Sequence, residues 1–267
     1  MGEKSEILFL LFSQLSVGGI VLLAAIAKRQ LGLSFFRLNG MIFFLLFGVA
    51  VPGIPTSETT SLWSQAVIIL TLAYSVALFV YVVTFWIKKE THPVFWLYAA
   101  AGLGIALVAA SGWFYAARSG GGLAAELIPV SFLFSALILG SSLLGMLLGH
   151  RYLTNPHLPM SHLNFVAWVF LIAVLLQGGL TVAAFWFGLS PDAAFAALRL
   201  ESVLGLFLWI RLAIGIAGPL VLAVMILNTI RYQANMSATG LMYIAVIMVM
   251  AGEAFSRYLL VAESILL

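Results

Sequence analysis

Residues 7–27 read ILFLLFSQLSVGGIVLLAAIA and stop at Lys28-Arg29-Gln30. No charge interrupts the run, and about 20 apolar residues are what an α-helix needs to cross the hydrocarbon core of a bilayer. The stretch is too long for the apolar part of a secretion signal. No small-x-small cleavage site leads from it into a polar domain, so it reads as a retained first span. The same ruler finds seven more stretches, at 38–54, 64–87, 93–117, 127–149, 163–188, 203–228 and 238–262. Breaks such as Pro52-Gly53-Ile54-Pro55, Lys88-Lys89-Glu90, Asn155-Pro156 and Ser190-Pro191-Asp192 separate them. The second stretch, short and closed by two prolines, is the least regular. No break is long enough to hold a separate domain. Residues 1–267 are therefore expected to form one integral membrane domain, an all-α polytopic bundle of about eight transmembrane helices.

Composition points the same way. Of 267 residues, 64% are hydrophobic and 8% charged, and the mean hydropathy is +1.17. A soluble domain is about a quarter charged, because its surface must be solvated. Twelve Lys and Arg with nine Asp and Glu cannot cover a water-facing globule of this size. A soluble enzyme, a disordered chain and a nucleic-acid binder are excluded. Cysteine is absent, which removes disulfides, iron–sulfur clusters and thiolate metal sites from this chain.

Orientation follows from the cations outside the hydrocarbon. After odd-numbered spans come Lys28, Arg29, Arg37, Lys88, Lys89, Arg151 and Arg231, seven in all, against Lys4, Arg118 and Arg199, three, on the opposite side. By the positive-inside rule both termini are expected to face outward, the periplasm if the membrane is a bacterial inner membrane. Trp63, Trp86 and Trp96 lie near span ends, where interfacial aromatics belong.

Ionisable groups within spans are costly enough to be functional candidates by default. Arg211 lies in the seventh span, and Glu253 and Arg257 lie in the eighth at a spacing that puts them on one helix face. With Gln14 of the first span, all fall in the outer half of the membrane. The four are expected to converge on a polar pocket between spans one, seven and eight. A carboxylate there can take a proton, while guanidinium groups offer fixed donors to a carbonyl oxygen, the chemistry a quinone requires. The plainer reading is an intrahelical Glu253–Arg257 pair with Arg211 snorkelling to the headgroups.

Histidines are four: His92, His150, His157 and His162. A b-type haem wants imidazoles facing each other from within spans, and none of the four is mid-span. His150, His157 and His162 could hold one haem near the inner surface, but capping or headgroup contact accounts for them as well. Haem is not expected, and no zinc site is, for want of a neighbouring carboxylate. Gln177, Tyr74 and Tyr81 read as interhelical hydrogen-bonding groups, and runs such as Gly140-Ser141-Ser142 with Gly145 and Gly149 as packing devices in lipid. No metalloprotease His-Glu-x-x-His, hydrolase Gly-x-Ser-x-Gly or P-loop lysine occurs.

Two segments carry a resemblance. The opening span, with Ser13-Gln14-Leu15-Ser16-Val17-Gly18-Gly19, and the closing Gly252-Glu253-Ala254-Phe255-Ser256-Arg257 are similar to the corresponding parts of the membrane-anchor subunits of the dimethyl-sulfoxide reductase and polysulfide reductase families. They cover about a tenth of the chain. The His-Leu-Gly stretch that those anchors place after the second span has no counterpart here. The resemblance implies a membrane anchor for a peripheral redox enzyme, exchanging electrons and protons between non-covalently bound quinone or quinol and iron–sulfur, molybdenum or multihaem partner subunits. Its surroundings would otherwise be membrane lipids. Two other readings remain open from the residues alone: a b-type cytochrome subunit, and a small-solute transporter or assembly factor, for which Pro219 in Gly215-Ile216-Ala217-Gly218-Pro219 is the supporting break in span seven.

Overall fold

Each of the eight apolar stretches becomes a helix long enough to cross a bilayer. The computed structural model describes residues 3–26, 31–55, 61–87, 93–119, 122–155, 160–188 and 203–263, and no strand occurs among them. Helix α1 is Glu3–Ile26; α2 is Leu33–Ala50, ending in a 3₁₀ turn at Val51–Gly53. Next come α3 (Leu62–Ile87), α4 (Pro93–Arg118), α5 (Leu123–Thr154) and α6 (Ser161–Gly188). Helix α7 has two α-helical pieces, Val203–Ile210 and Gly218–Arg231, joined by a π-helical segment at Arg211–Ala217. Helix α8 is Asn235–Glu263.

Several helices outrun the apolar stretches that announce them. Helix α2 starts at Leu33 rather than 38, and α5 runs from Leu123 to Thr154 rather than over 127–149. A hydropathy ruler measures only the hydrocarbon core, whereas backbone hydrogen bonding continues into the headgroup layer, where polar side chains are solvated. Arg37, counted above with the loops, accordingly sits inside α2 and donates from Nε to the Phe85 carbonyl at 2.6 Å. Lys4, Arg118, Arg151 and Arg231 likewise fall in terminal turns of helices.

Helix α5 forms the middle of the bundle, touching α1, α4, α6 and α8. Lipid tails are as apolar as leucine, so helices in a bilayer associate by close packing and hydrogen bonds rather than by expelling water. Small residues permit that closeness. A Cβ on Gly18 of α1 would overlap the Ala136 carbonyl of α5, and one on Gly140 would overlap the backbone of Gly18. Gly112 of α4 rests on Pro129 of α5, while Gly145 and Gly149 of α5 face Met242 and Thr239 of α8. Where α2 packs between α1 and α3, Ser16 Oγ donates to the Phe43 carbonyl and is 2.9 Å from the Tyr74 hydroxyl, and Tyr81 donates to the Phe36 carbonyl at 3.0 Å.

Pro219 does not break span seven. It lacks an N–H, and its ring crowds the carbonyl four residues back, that of Gly215. The helix responds by widening: the Gly218 N–H donates to the Ala213 carbonyl, five residues earlier. Single π-turns of this kind relieve such conflicts inside longer helices and recur at functional sites.

The packing gives a direct test. Gly140→Ala should lower stability by about 1–3 kcal/mol, since the added methyl forces α1 and α5 apart. Gly48→Ala, whose Cβ would meet nothing, should be neutral or slightly stabilising. Thermal unfolding of the two variants in detergent checks this; equal melting temperatures would contradict the α1–α5 contact.

Candidate functional site

Glu253 of α8 lies on the bundle side of its helix, 1% exposed, with Arg211 and Arg257 each 0% exposed. Its Oε1 accepts from Arg211 Nη1 at 2.8 Å, and its Oε2 accepts from Arg257 Nη2 at 3.1 Å. Arg257 Nη2 also donates to Ser135 Oγ of α5, and the guanidinium lies 4.2 Å from the centre of the Phe132 ring. The Gln177 amide of α6, oriented by its hydrogen-bond network, accepts from Arg211 Nη2 at 3.1 Å and from Ser131 Oγ at 2.9 Å, and donates to the Ser131 carbonyl at 3.2 Å. Four helices therefore meet at one carboxylate.

Local chain geometry makes the meeting possible. Arg211 opens the π segment, which turns its side chain toward α8. Gly215, four residues on, lies directly against Gly252, and a Cβ on Gly252 would overlap the Gly215 backbone. The two bare Cα positions bring α7 close enough for a guanidinium to reach the neighbouring Glu253. Arg257 reaches the same carboxylate from one turn along α8, by the i,i+4 relation. Arg211 does not snorkel; it is buried and bonded on both sides.

The site has more donors than acceptors. One carboxylate faces two guanidinium groups, so the triad carries a net positive charge, and the Phe132 face answers part of it. Arg211 Nε, Arg257 Nε and Arg257 Nη1 have no hydrogen-bond partner among the described residues. Gln14 is also buried, with both amide atoms unpartnered. It lies one turn before Gly18, hence at the level of Phe132 on α5. Three of the four expected residues are thus joined directly, while Gln14 is not hydrogen-bonded to them.

A small apolar cleft lies within about one helical turn of Arg211 and Gln177, with no triad residue in its wall. Thr181, Val182, Phe185, Leu208 and Leu212 enclose about 110 Å³ between α6 and α7. Thr181 stands one turn from Gln177 and Leu208 one turn from Arg211, so the cleft opens beside the polar chain. The Thr181 hydroxyl is buried and without a partner among the described residues.

A second polar cluster lies at the end of the bundle that holds the start of α1 and the end of α4. Glu6 Oε2 accepts from the Tyr115 hydroxyl at 2.9 Å and from Arg118 Nη1 at 3.1 Å. Tyr115 packs on Phe132, ring centres 6.0 Å apart, and Phe132 is the ring beneath Arg257. Sequence reasoning passed over Glu6 and Arg118 because they flank apolar stretches rather than interrupt them. The i,i+3 spacing of Tyr115 and Arg118 was the available signal. Gln177 was legible as an interhelical hydrogen-bonding group but not as part of this network, and Ser131 and Ser135 gave no signal, because a lone polar group in a span usually bonds to the nearest helix.

Of the histidines, His150 is exposed on the last turns of α5 and His162 is buried at the start of α6. His92 and His157 lie outside the described residues. No protein-family model matches the chain, and no curated protein matches it.

Removing Glu253 leaves two buried guanidinium groups uncompensated, which typically costs about 3–5 kcal/mol. Glu253→Leu should therefore fail to accumulate as a folded, monodisperse protein. Glu253→Gln keeps an acceptor oxygen and should fold with a reduced melting temperature. Fluorescence-detected size exclusion and thermal unfolding separate the two; a stable Leu variant would show that the triad does not hold the helices together.

Proposed function

We propose that this chain is the quinone-reactive membrane subunit of a respiratory redox complex, anchoring a peripheral partner that carries the electron-transfer centres. The observation that carries the reading is the surplus of buried donors around Glu253, beside an apolar cleft reaching between α6 and α7. Guanidinium and amide groups without acceptors suit the carbonyl oxygens of a quinone ring, whose hydrophobic tail would remain in lipid. The cleft holds a ring-sized head group rather than a whole lipid.

Quinol oxidation releases two electrons and two protons; the electrons would pass to a centre in the partner subunit. The residues of this chain handle binding and protons. Arg211 and Arg257 fix oxygen atoms by charge-assisted hydrogen bonds, and Thr181 of the cleft adds a neutral partner. Glu253, placed between the two guanidinium groups, accepts a proton as the ring is oxidised. Glu6, bonded to Arg118 at the half-exposed outer edge, is the group through which protons would reach the aqueous phase.

The excess of cations on one side supports termini facing the periplasm in a bacterial inner membrane. A C-terminal tag should be accessible in intact spheroplasts. Protection until lysis would reverse the orientation.

Titration of the purified chain with a fluorescent quinol-site inhibitor of the hydroxyquinoline N-oxide class tests the binding assignment. Wild type should bind it, and Arg211→Ala or Arg257→Ala should weaken binding by about tenfold or more, the worth of one hydrogen bond to a charged group. Thr181→Leu should fill the cleft and weaken it comparably without touching the triad. Glu253→Gln should bind inhibitor but slow quinol-dependent electron transfer in the native complex. Unaltered inhibitor binding in all three binding-site variants would overturn the site, and wild-type turnover in Glu253→Gln would remove its proton role.

A further inference from the structure

On the cation-rich side of the bundle, opposite the triad, a groove of about 550 Å³ lies between the first turns of α6 and the last turns of α7. Its wall residues fall on one stripe of each helix and divide by polarity along the membrane normal. Ser161, Asn164, Asn228 and Arg231 line the end nearest the water, and Trp168 and Leu227 are among the apolar residues that line the deeper part. No Asp or Glu lines it. Arg231 is exposed and forms no ion pair among the described residues.

We propose that this groove binds an anionic phospholipid, with its phosphate on Arg231 and the two asparagine amides and its acyl chain along Trp168 and Leu227. Three features select that occupant. A lone guanidinium without a carboxylate partner complements a phosphodiester, which accepts from several of its N–H groups at once. The amide groups of Asn164 and Asn228, with the Ser161 hydroxyl, supply neutral donors to the glycerol and phosphate oxygens. The apolar continuation, open toward the bilayer, distinguishes a lipid from free phosphate, which would use only the polar end. Basic pockets between transmembrane helices on the positively charged side are where lipid headgroups of this class are recognised. The inference does not depend on quinone chemistry, since the groove and the triad occupy opposite ends of α6 and α7.

Native mass spectrometry of the full chain, released from detergent with equal amounts of phosphatidylglycerol and phosphatidylcholine of matched acyl chains, tests it. Phosphatidylglycerol adducts should be favoured by about tenfold, because both lipids offer the same phosphodiester acceptors but the choline ammonium of phosphatidylcholine cancels the negative charge that Arg231 attracts. Arg231→Ala should abolish the preference while Arg231→Lys retains most of it. Trp168→Ala should reduce adducts of both lipids alike. Equal binding of the two lipids by wild type, or a preference that survives Arg231→Ala, would overturn the proposal. Displacement of phosphatidylglycerol by a short-chain quinone would also overturn it, assigning the groove to a different ligand. Because Arg231 is exposed at a helix end, the alanine variant should keep the wild-type melting temperature. If it does not, loss of the preference in the lysine variant as well would overturn the proposal.

Discussion

A carboxylate and two guanidinium groups cannot lie loose in a low-dielectric interior. Each charge must find its counterpart at hydrogen-bond distance, or burial costs more than the fold can supply. Glu253 meets that demand through Arg211 and Arg257, and much of the local architecture follows from it. The π segment of α7 aims Arg211 inward. The Gly215–Gly252 contact brings α7 against α8. Gln177 and Ser135 accept from Arg211 and Arg257 and so join α6 and α5 to the same point, while Arg211 Nε, Arg257 Nε and Arg257 Nη1 keep no partner among the described residues. Features that look unrelated along the chain, a proline, two glycines, a mid-span glutamine and a pair of serines, share one electrostatic cause.

Helix α5 lets this arrangement coexist with a tight bundle. One part of its surface carries the serines and Phe132 that serve the triad; glycines farther along permit α1 and α8 to approach closely. Because α1 is pressed against Ala136 and Gly140, Gln14 is brought to the depth of Phe132 without being bonded to the triad. The same ring separates Arg257 from Tyr115, and Tyr115 is bonded to Glu6. The buried triad and the Glu6–Tyr115–Arg118 cluster thus flank one aromatic ring, in a protein with very few polar groups in its spans.

The two ends of the α6–α7 pair differ in kind. At the triad end the polar groups are buried, and three guanidinium nitrogens there have no partner among the described residues. At the other end, Arg231 and the asparagines are exposed at the depth of headgroups, suited to a resident lipid. Helix α7, the least buried span, is held at one end by an ion triad and shares a lipid-facing groove with α6 at the other.

Eight spans and their approximate places were legible in the amino-acid sequence, because apolar length is a local property that a bilayer reads directly. So was the pairing of Glu253 with Arg257, which helical spacing alone dictates. The helix ends were less legible, since hydrogen bonding persists beyond the hydrocarbon that hydropathy measures. Tertiary structure alone decided that Arg211 joins Glu253, that Gln177, rather than Gln14, closes the network, and that Glu6 is held by Tyr115 and Arg118. These contacts join residues tens to more than a hundred positions apart. They depend on how closely two helices approach and how each is rotated, and those quantities are set by glycine contacts and by the widened turn before Pro219 rather than by any local pattern.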